Sequence, residues 1–369
     1  MHIETQHTGI VQRLGRRALV TVAVALVASV LTAVLRAVQA NDVAVFGLAA
    51  VALAALASVV GEGTDQLGQR LGPGATGVLQ SALGNLPELF ISVFALRAGL
   101  VTVVQTALVG SILGNSLLVL GLAFLFGGLK NGVQKFGTTQ TRMMSVMLLL
   151  SVAALTIPTL ATAPGAPDVG HAGELSVAVA IVLLVSFAAS IPFSLAGGPG
   201  AHAEEAPPVE SVWPLPLALM VLAAAGAGAA LVSDWFVEAL KPAMAALGMS
   251  EAFAGLVIVA IAGNAVENVV GIQMAVRDKP DLAISLILNS SLQIALAMIP
   301  VLVLVSPFVG GPMLTLVLPP LLIGAVALAG ILGVVIVYDG ESTWLEGLAL
   351  VGLYAIVAAS VWWGPPVHP

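Results

Sequence analysis

The fold is decided by two short stretches, Gly84-Asn85-Leu86-Pro87-Glu88 and Gly263-Asn264-Ala265-Val266-Glu267. Both read G-N-x-x-E, and they lie 179 residues apart. The same offset carries Gly110-Ser111-Ile112-Leu113 onto Asn289-Ser290-Ser291-Leu292. Two separate motifs aligned by one offset mark an internal duplication.

The sequence around these motifs has the composition of a membrane interior. Of 369 residues, 59% are hydrophobic and 8% charged, and the mean hydropathy is +1.09. A soluble domain carries roughly 25% charged residues, so a water-soluble globule is excluded. Twelve Lys and Arg cannot clad a phosphate-binding surface, which excludes a nucleic-acid binder. The absence of Cys removes disulfides, thiolate metal sites and a Cys nucleophile.

A bilayer-spanning helix needs about 20 mostly apolar residues. Cutting the chain at its charged, Pro-rich and Gly-rich breaks gives eleven such stretches: 18–38, 43–61, 74–97, 101–126, 141–162, 174–196, 212–232, 252–276, 281–305, 313–336 and 343–363. The expectation is an all-α polytopic membrane protein with about eleven transmembrane helices. Arg13, Arg16 and Arg17 give the first stretch the look of a signal peptide. It is long for one and lacks a small-residue cleavage site, so it is kept as a span.

The two G-N-x-x-E motifs fall in the third and eighth stretches, so the repeat unit is five helices. Five is odd, and the second copy therefore sits upside down. Such inverted repeats are typical of secondary transporters, with the substrate site near the midplane where the copies meet. The chain divides into 1–40 with the first helix, 41–196 as the first repeat, 197–211 as a linker and 212–369 as the second repeat. With a cytoplasmic N-terminus, nine Lys and Arg fall inside and only Arg36, Arg97 and Lys241 outside. That bias predicts N-in and C-out. The linker GGPGAHAEEAPPVES carries Glu204, Glu205 and Glu210 on the cytoplasmic side. It reads first as a solvated hinge, and second as a segment that gathers cations.

Of nineteen Asp and Glu residues, only Glu88 and Glu267 fall near the middle of a stretch, and they are the repeat-related pair. A charge at bilayer depth costs ~2.5–3.5 kcal/mol on insertion scales, which points to function. Gly84 and Gly263 weaken the helices beside them, and Pro87 removes a backbone N–H. Broken helices free carbonyl oxygens to face an ion. Asn85 and Asn264 supply amide oxygens, and Ser111, Asn115, Ser290 and Gln293 can add more from neighbouring helices. Ser111 and Ser290 could equally back-bond to their own helices. Asn115 has Ile294 as its counterpart, so it stands outside the repeat. Gly110 and Gly114 form a G-x-x-x-G expected to pack helices closely. Glu62, Asp65, Asp234 and Glu238 read as helix ends or as cation-access residues.

An all-oxygen set suits Ca2+, Mn2+, Mg2+ or Na+. Two carboxylates balance one divalent cation, and the octahedron Mg2+ demands makes Ca2+ the better fit. Protons compete for the same carboxylates, and that competition suffices for exchange.

At these residues the sequence resembles the cation/Ca2+ exchanger superfamily, and within it the Ca2+/H+ exchangers. The resemblance runs through GEGTDQLGQRLGP, GNLPELFISVFALRAG and QTALVGSILGNSLLVLG in the first half, and GNAVENVVG and NSSLQIALAMIPVLVLV in the second. It implies an antiporter that exports Ca2+ from the cytosol against inward H+ flow. It places the Ca2+ carboxylates at Glu88 and Glu267, and implies alternating access through two tilted gating helices. It likens the acidic linker to the family's cytoplasmic acidic helix. The sequence departs from the pattern at Leu86-Pro87, where Ala-Thr is usual, at Asn268, where His is usual, and at Asn289, where Gly is usual. Pro before the acid resembles the Na+/Ca2+ branch. Asn289 is expected to bring an extra amide oxygen near the site.

The expected substrates are thus Ca2+ and H+, in a bacterial cytoplasmic membrane, with no cofactor and no nucleic-acid partner. A homo-oligomer is compatible with this reading. The alternative is an exchanger driven by Na+ or carrying Mn2+ or a monovalent cation. A channel would need a continuous polar pore, which the spans lack. A hydrolase would need a Ser/His or H-E-x-x-H arrangement, and all five His lie outside the spans.

Overall fold

The computed structural model describes residues 10–71, 83–166, 168–195 and 213–363. The linker 197–211 and the start of the predicted third stretch lie outside these residues. The first half holds helices α1 (Ile10–Ala37), α2 (Asp42–Leu71), α3 (Leu86–Arg97), α4 (Val101–Leu113), α5 (Leu120–Asn131), α6 (Thr138–Ala161) and α7 (Ala172–Leu195). The second holds α8 (Leu215–Leu247), α9 (Glu251–Phe253), α10 (Ala260–Val276), α11 (Pro280–Gln293), α12 (Ile299–Val305), α13 (Pro320–Ile336) and α14 (Trp344–Trp362). A two-residue strand from each half, β1 (Gln134–Lys135) and β2 (Glu341–Ser342), pairs antiparallel.

Among the described residues, eight helices are long and apolar enough to cross a membrane, and nine if one bent pair counts as a span. The bent pair is Glu251–Ala265 with Glu267–Val276, at 71°. The twelve residues of α3 and the seventeen of α13 are shorter. The outer surface is apolar: Leu26 is 64% exposed, Val185 63% and Ile356 68%. Large contiguous apolar surface of this kind suits a hydrocarbon solvent.

Among the described residues, three helical runs carry a wide turn in which each N–H reaches back five residues. These π turns are Gly114–Val119 between α4 and α5, Ala254–Val259 between α9 and α10, and Ile294–Met298 between α11 and α12. The first and third occupy repeat-related positions. Such turns insert an extra residue, re-aim the side chains around it and recur at functional sites.

Two helices outrun their predicted spans. The stretch expected at 43–61 is part of the 30-residue α2, and the one expected at 212–232 is part of the 33-residue α8. The charges at Glu62 and Asp234 were read as ends, but the helices run on past them, in α8 through the Ala-rich EALKPAMAAL of 238–247. At 1.5 Å per residue these helices run about 45–50 Å, longer than the ~30 Å hydrocarbon core, so they tilt or protrude. They form the most extensively packed helix pair. Phe46 stacks on Phe236 at 4.7 Å between ring centroids. At one end the Gln66 Oε1 accepts from the Trp213 N–H at 2.8 Å, and Arg70 donates to the Trp213 carbonyl. At the other end Arg36 of α1 pairs with Glu238 and lies 5.4 Å over the Trp235 ring.

The bundle ends sort into two sets of connections. At one end, Gln134 donates to the Ala275 carbonyl at 2.9 Å and to Asp278 at 3.0 Å, while Asp281 accepts from the Gly137 N–H at 2.6 Å. Lys135 meets Glu341 at 2.9 Å, and that hydrogen bond, with the attraction between the charges, raises the Lys135 pKa above its ordinary value. At the other end, the non-helical segment 309–319 packs between helix ends. Its backbone groups are satisfied by side chains: Gln105 donates to the Thr315 carbonyl at 2.8 Å, and the Leu316 and Leu318 N–H groups donate to Ser176 and Thr159 at 2.9 and 2.8 Å. Irregular backbone inside a membrane protein requires this satisfaction.

Of the predicted G-x-x-x-G pair, only one glycine makes a packing contact. A Cβ on Gly110 would lie 2.3 Å from the Leu256 carbonyl oxygen and 2.6 Å from its Cα, whereas Gly114 has nothing within 4 Å. The π turn takes Gly114 off the crossing. Gly255 reciprocates, since its Cβ would lie 2.4 Å from the Val103 carbonyl. Gly110→Ala is therefore expected to cost about 1–3 kcal/mol by forcing these backbones apart. In thermal unfolding of the detergent-solubilised protein it should lower Tm clearly, and Gly114→Ala should not.

Candidate cation site

Glu88 enters the site at the start of a helix. Asn85 sits just before α3 with φ −91° and ψ 12°, its carbonyl accepts from the Leu89 N–H at 2.9 Å, and Pro87 lies in the first turn. Proline is tolerated there because the first-turn N–H groups have no intrahelical partner. The expected break at Pro87 is thus the helix start itself, and it sets Glu88 where the helix dipole gathers positive charge. In the second half of the chain Glu267 directly follows the 71° bend.

The two motifs meet. Glu88 is fully buried and packs on Gly263, where a Cβ would come within 3.2 Å of the glutamate side chain. Its charge and that of Glu267 are near enough to repel. Ser111 donates its hydroxyl to Glu88, and Ser290 donates to Glu267. Elsewhere most membrane-embedded hydroxyls back-bond to their own helix, as Thr32 does to Ala28 and Ser151 to Met147. Ser111 and Ser290 depart from that habit, so the alternative raised by the sequence resolves in favour of the carboxylates.

Each serine is held in turn by an asparagine of the opposite half. Asn264 donates to Ser111 Oγ at 3.0 Å, and Asn115 donates to Ser290 Oγ at 3.0 Å. Each hydroxyl thereby uses its one donor and one lone pair. Asn85 donates to Gln293 Oε1 at a longer 3.3 Å. Asn115, which has no repeat counterpart, is placed by its π turn to do for Ser290 what Asn264 does for Ser111.

Some oxygens of the two motifs, and of Asn268 next to Glu267 in the chain, accept nothing. Glu88 Oε2, Asn264 Oδ1 and Asn268 Oδ1 are buried without a hydrogen-bond partner. The amide of Asn264 also donates to the Ala260 carbonyl at 3.0 Å, a group that only accepts, so its bare atom is the oxygen. Bare, buried acceptor oxygens beside two carboxylates fit a hard cation. Among the described residues no group of three or more His, Cys, Asp or Glu is poised for a metal, so any such ion would rest on two acids and neutral oxygens.

All eight polar residues nominated from the sequence make side-chain hydrogen bonds with one another, in three groups: Glu88–Ser111–Asn264, Glu267–Ser290–Asn115 and the pair Asn85–Gln293. Asn289 joins none of them: it is exposed, and its neighbour Ser290 faces Glu267 instead. Glu238 is engaged with Arg36 at a bundle end. Asn268 was noted only as a departure from a pattern, and its bare oxygen was not foreseen.

Truncating Ser111 or Ser290 to Ala removes the donor that orients a carboxylate. Each is expected to weaken divalent-cation binding by about tenfold, the cost usual for groups that position ligands. Ser116→Ala, whose hydroxyl lies only 3.4 Å from Ser291, should change it little; equilibrium 45Ca2+ binding reads both.

The profile of the family described as sodium/calcium exchanger protein matches residues 41–196 and 217–363. A Ca2+/H+ antiporter of Synechocystis sp. is 36% identical over 349 residues, covering 88% of this chain and 92% of that protein. The Ca2+/H+ antiporter ChaA of Bacillus subtilis is 37% identical over 322 residues, covering 85% of this chain and 90% of its own. Among solved structures, native YfkE superposes with a TM-score of 0.79 at 32% identity, over 93% of this chain and 99% of YfkE.

Proposed function

We propose that this chain, which belongs to the sodium/calcium exchanger protein family and is an integral membrane protein, exports Ca2+ from the cytosol in exchange for H+. The observation that carries the reading is the paired arrangement of Glu88 with Ser111 and Asn264, and of Glu267 with Ser290 and Asn115. Two repelling acids in one buried cluster are neutralised equally by one divalent cation or by two protons. Neither cargo needs a second site, and each displaces the other. The names of the bacterial relatives supply Ca2+ and H+ as the pair. Gly84 and Gly263 complete the proposed site by letting backbone and carboxylate approach, as Gly263 does for Glu88.

The proposed topology is one N-terminal helix followed by two inverted five-helix repeats, eleven crossings in all. Several observations support it. The family profile matches in two blocks separated by the linker. The π turns at 114–119 and 294–298 sit one repeat apart. Connections that eleven crossings put on one face touch each other: β1 with β2 and Gln134 with Asp278 on one side, Arg36 with Glu238 on the other. The excess of Lys and Arg places the first of these faces in the cytoplasm, and the bacterial relatives point to the cytoplasmic membrane. Alternating access would then be movement of the long α2/α8 pair, tied together at Phe46–Phe236 and Trp213, against the remaining bundle.

Reconstitution tests this directly. With Na+ absent, an imposed pH gradient should drive 45Ca2+ uptake into proteoliposomes. Uptake that requires a Na+ gradient instead would assign the protein to Na+-driven exchange, the reading Pro87 favours. Glu88→Gln and Glu267→Gln should each abolish uptake while the protein remains folded in detergent. Wild-type uptake by either variant would sink the shared-site reading. Neutralising Glu204, Glu205 and Glu210 together should leave far more activity than either site variant.

A further inference from the structure

We propose that Asn268 is an additional oxygen ligand of the transported divalent cation, so that the second repeat contributes one more ion-binding group than the first. The inference rests on the cation-site reading above and deepens it. Asn268 directly follows Glu267 in α10, just past the 71° bend, and lies four residues after Asn264. The corresponding residues of the first repeat are Asn85, Glu88 and Leu89. Leu89 is a partly buried side chain packed against the hydrophobic core. One copy thus fills the position with hydrocarbon, and the other with an amide.

The Asn268 side-chain oxygen is buried and accepts no hydrogen bond within the protein, as is true of Asn264 Oδ1 and Glu88 Oε2. An unpaired buried acceptor is destabilising, whereas an apolar side chain of similar size avoids the penalty. At the corresponding position of the first half, Leu89 avoids that penalty. An amide oxygen is, however, a hard, neutral donor of the type that Ca2+ and Mn2+ take up, and it adds coordination without upsetting the balance of two carboxylates against two positive charges. Ca2+ requires about six to eight oxygens, more than the two glutamates can give. Asn268 supplies one of them from the residue that follows Glu267.

The test is equilibrium 45Ca2+ binding to the full-length protein purified in detergent, with size-exclusion elution as the check on folding. Asn268→Leu installs the residue of the first repeat; if Asn268 only packs, this change is harmless. The expected result is a rise of about tenfold in half-saturating Ca2+. A folded Leu variant within about twofold of wild type overturns the proposal, because that is below the cost of losing a metal-site group. Should the Leu variant aggregate, Asn268→Asp decides, since it keeps an oxygen at the same reach and adds charge. It is expected to lower half-saturating Ca2+ by about threefold or more, following ligand charge. An unchanged value overturns the proposal. Glu88→Gln, measured alongside, separates the two levels: wild-type binding by that variant removes the shared site and this inference together, whereas lost binding there with no effect at Asn268 removes this inference alone.

Discussion

Two carboxylates sit inside a helical bundle whose surroundings are almost wholly apolar, close enough to repel each other. Everything polar near them is organised around that constraint. Each acid receives one serine hydroxyl from the next helix of its own half, and each serine is fixed by an asparagine from the other half. Neither half can complete its carboxylate's environment alone. The site is consequently a property of the contact between halves, and relative movement of the halves must alter the ligands of both acids at once.

The rest of the architecture holds this contact at the right depth. Glycines at Gly110, Gly255 and Gly263 bring backbone and side chains within reach where any Cβ would intrude. π turns rotate Asn115 and the residues after Gln293 relative to a regular helix. Where the chain leaves helix at 309–319, side chains of Gln105, Thr159 and Ser176 take over the backbone hydrogen bonds. These devices share one purpose: a bundle in lipid gains little from hydrophobic association between helices, so close packing and internal hydrogen bonds must supply its specificity.

Much of the site was legible in the sequence because duplication gave each motif a reference copy. Glu88 and Glu267 stood out as acids in apolar runs, and Ser111 and Ser290 as the residues preserved at one offset. What was not legible follows from features that leave no local pattern. The length of α2 and α8 was missed because a charge at Glu62 or Asp234 reads as an end, although a tilted helix can carry charge beyond the hydrocarbon. Asn115 has no counterpart, so the repeat could not announce its bond to Ser290; only the π turn explains its aim. Asn289 went the other way, since its proximity in sequence to Ser290 concealed that adjacent helix residues point about 100° apart. The eight polar residues could be grouped from the sequence as types and neighbours, but their pairing across the halves belongs to tertiary structure.

The ties at the two bundle ends have a consequence for how the polypeptide is joined. β1 and β2, Gln134 and Asp278, and Arg36 and Glu238 each link residues of one half to residues of the other. The Trp213 backbone, at the start of the second half, is gripped by Gln66 and Arg70 of the first. The halves are therefore fastened to one another at several points besides the peptide that joins them, as two subunits of a heterodimer would be. A gene split within the linker would encode two complementary fragments carrying between them every described contact of the intact chain.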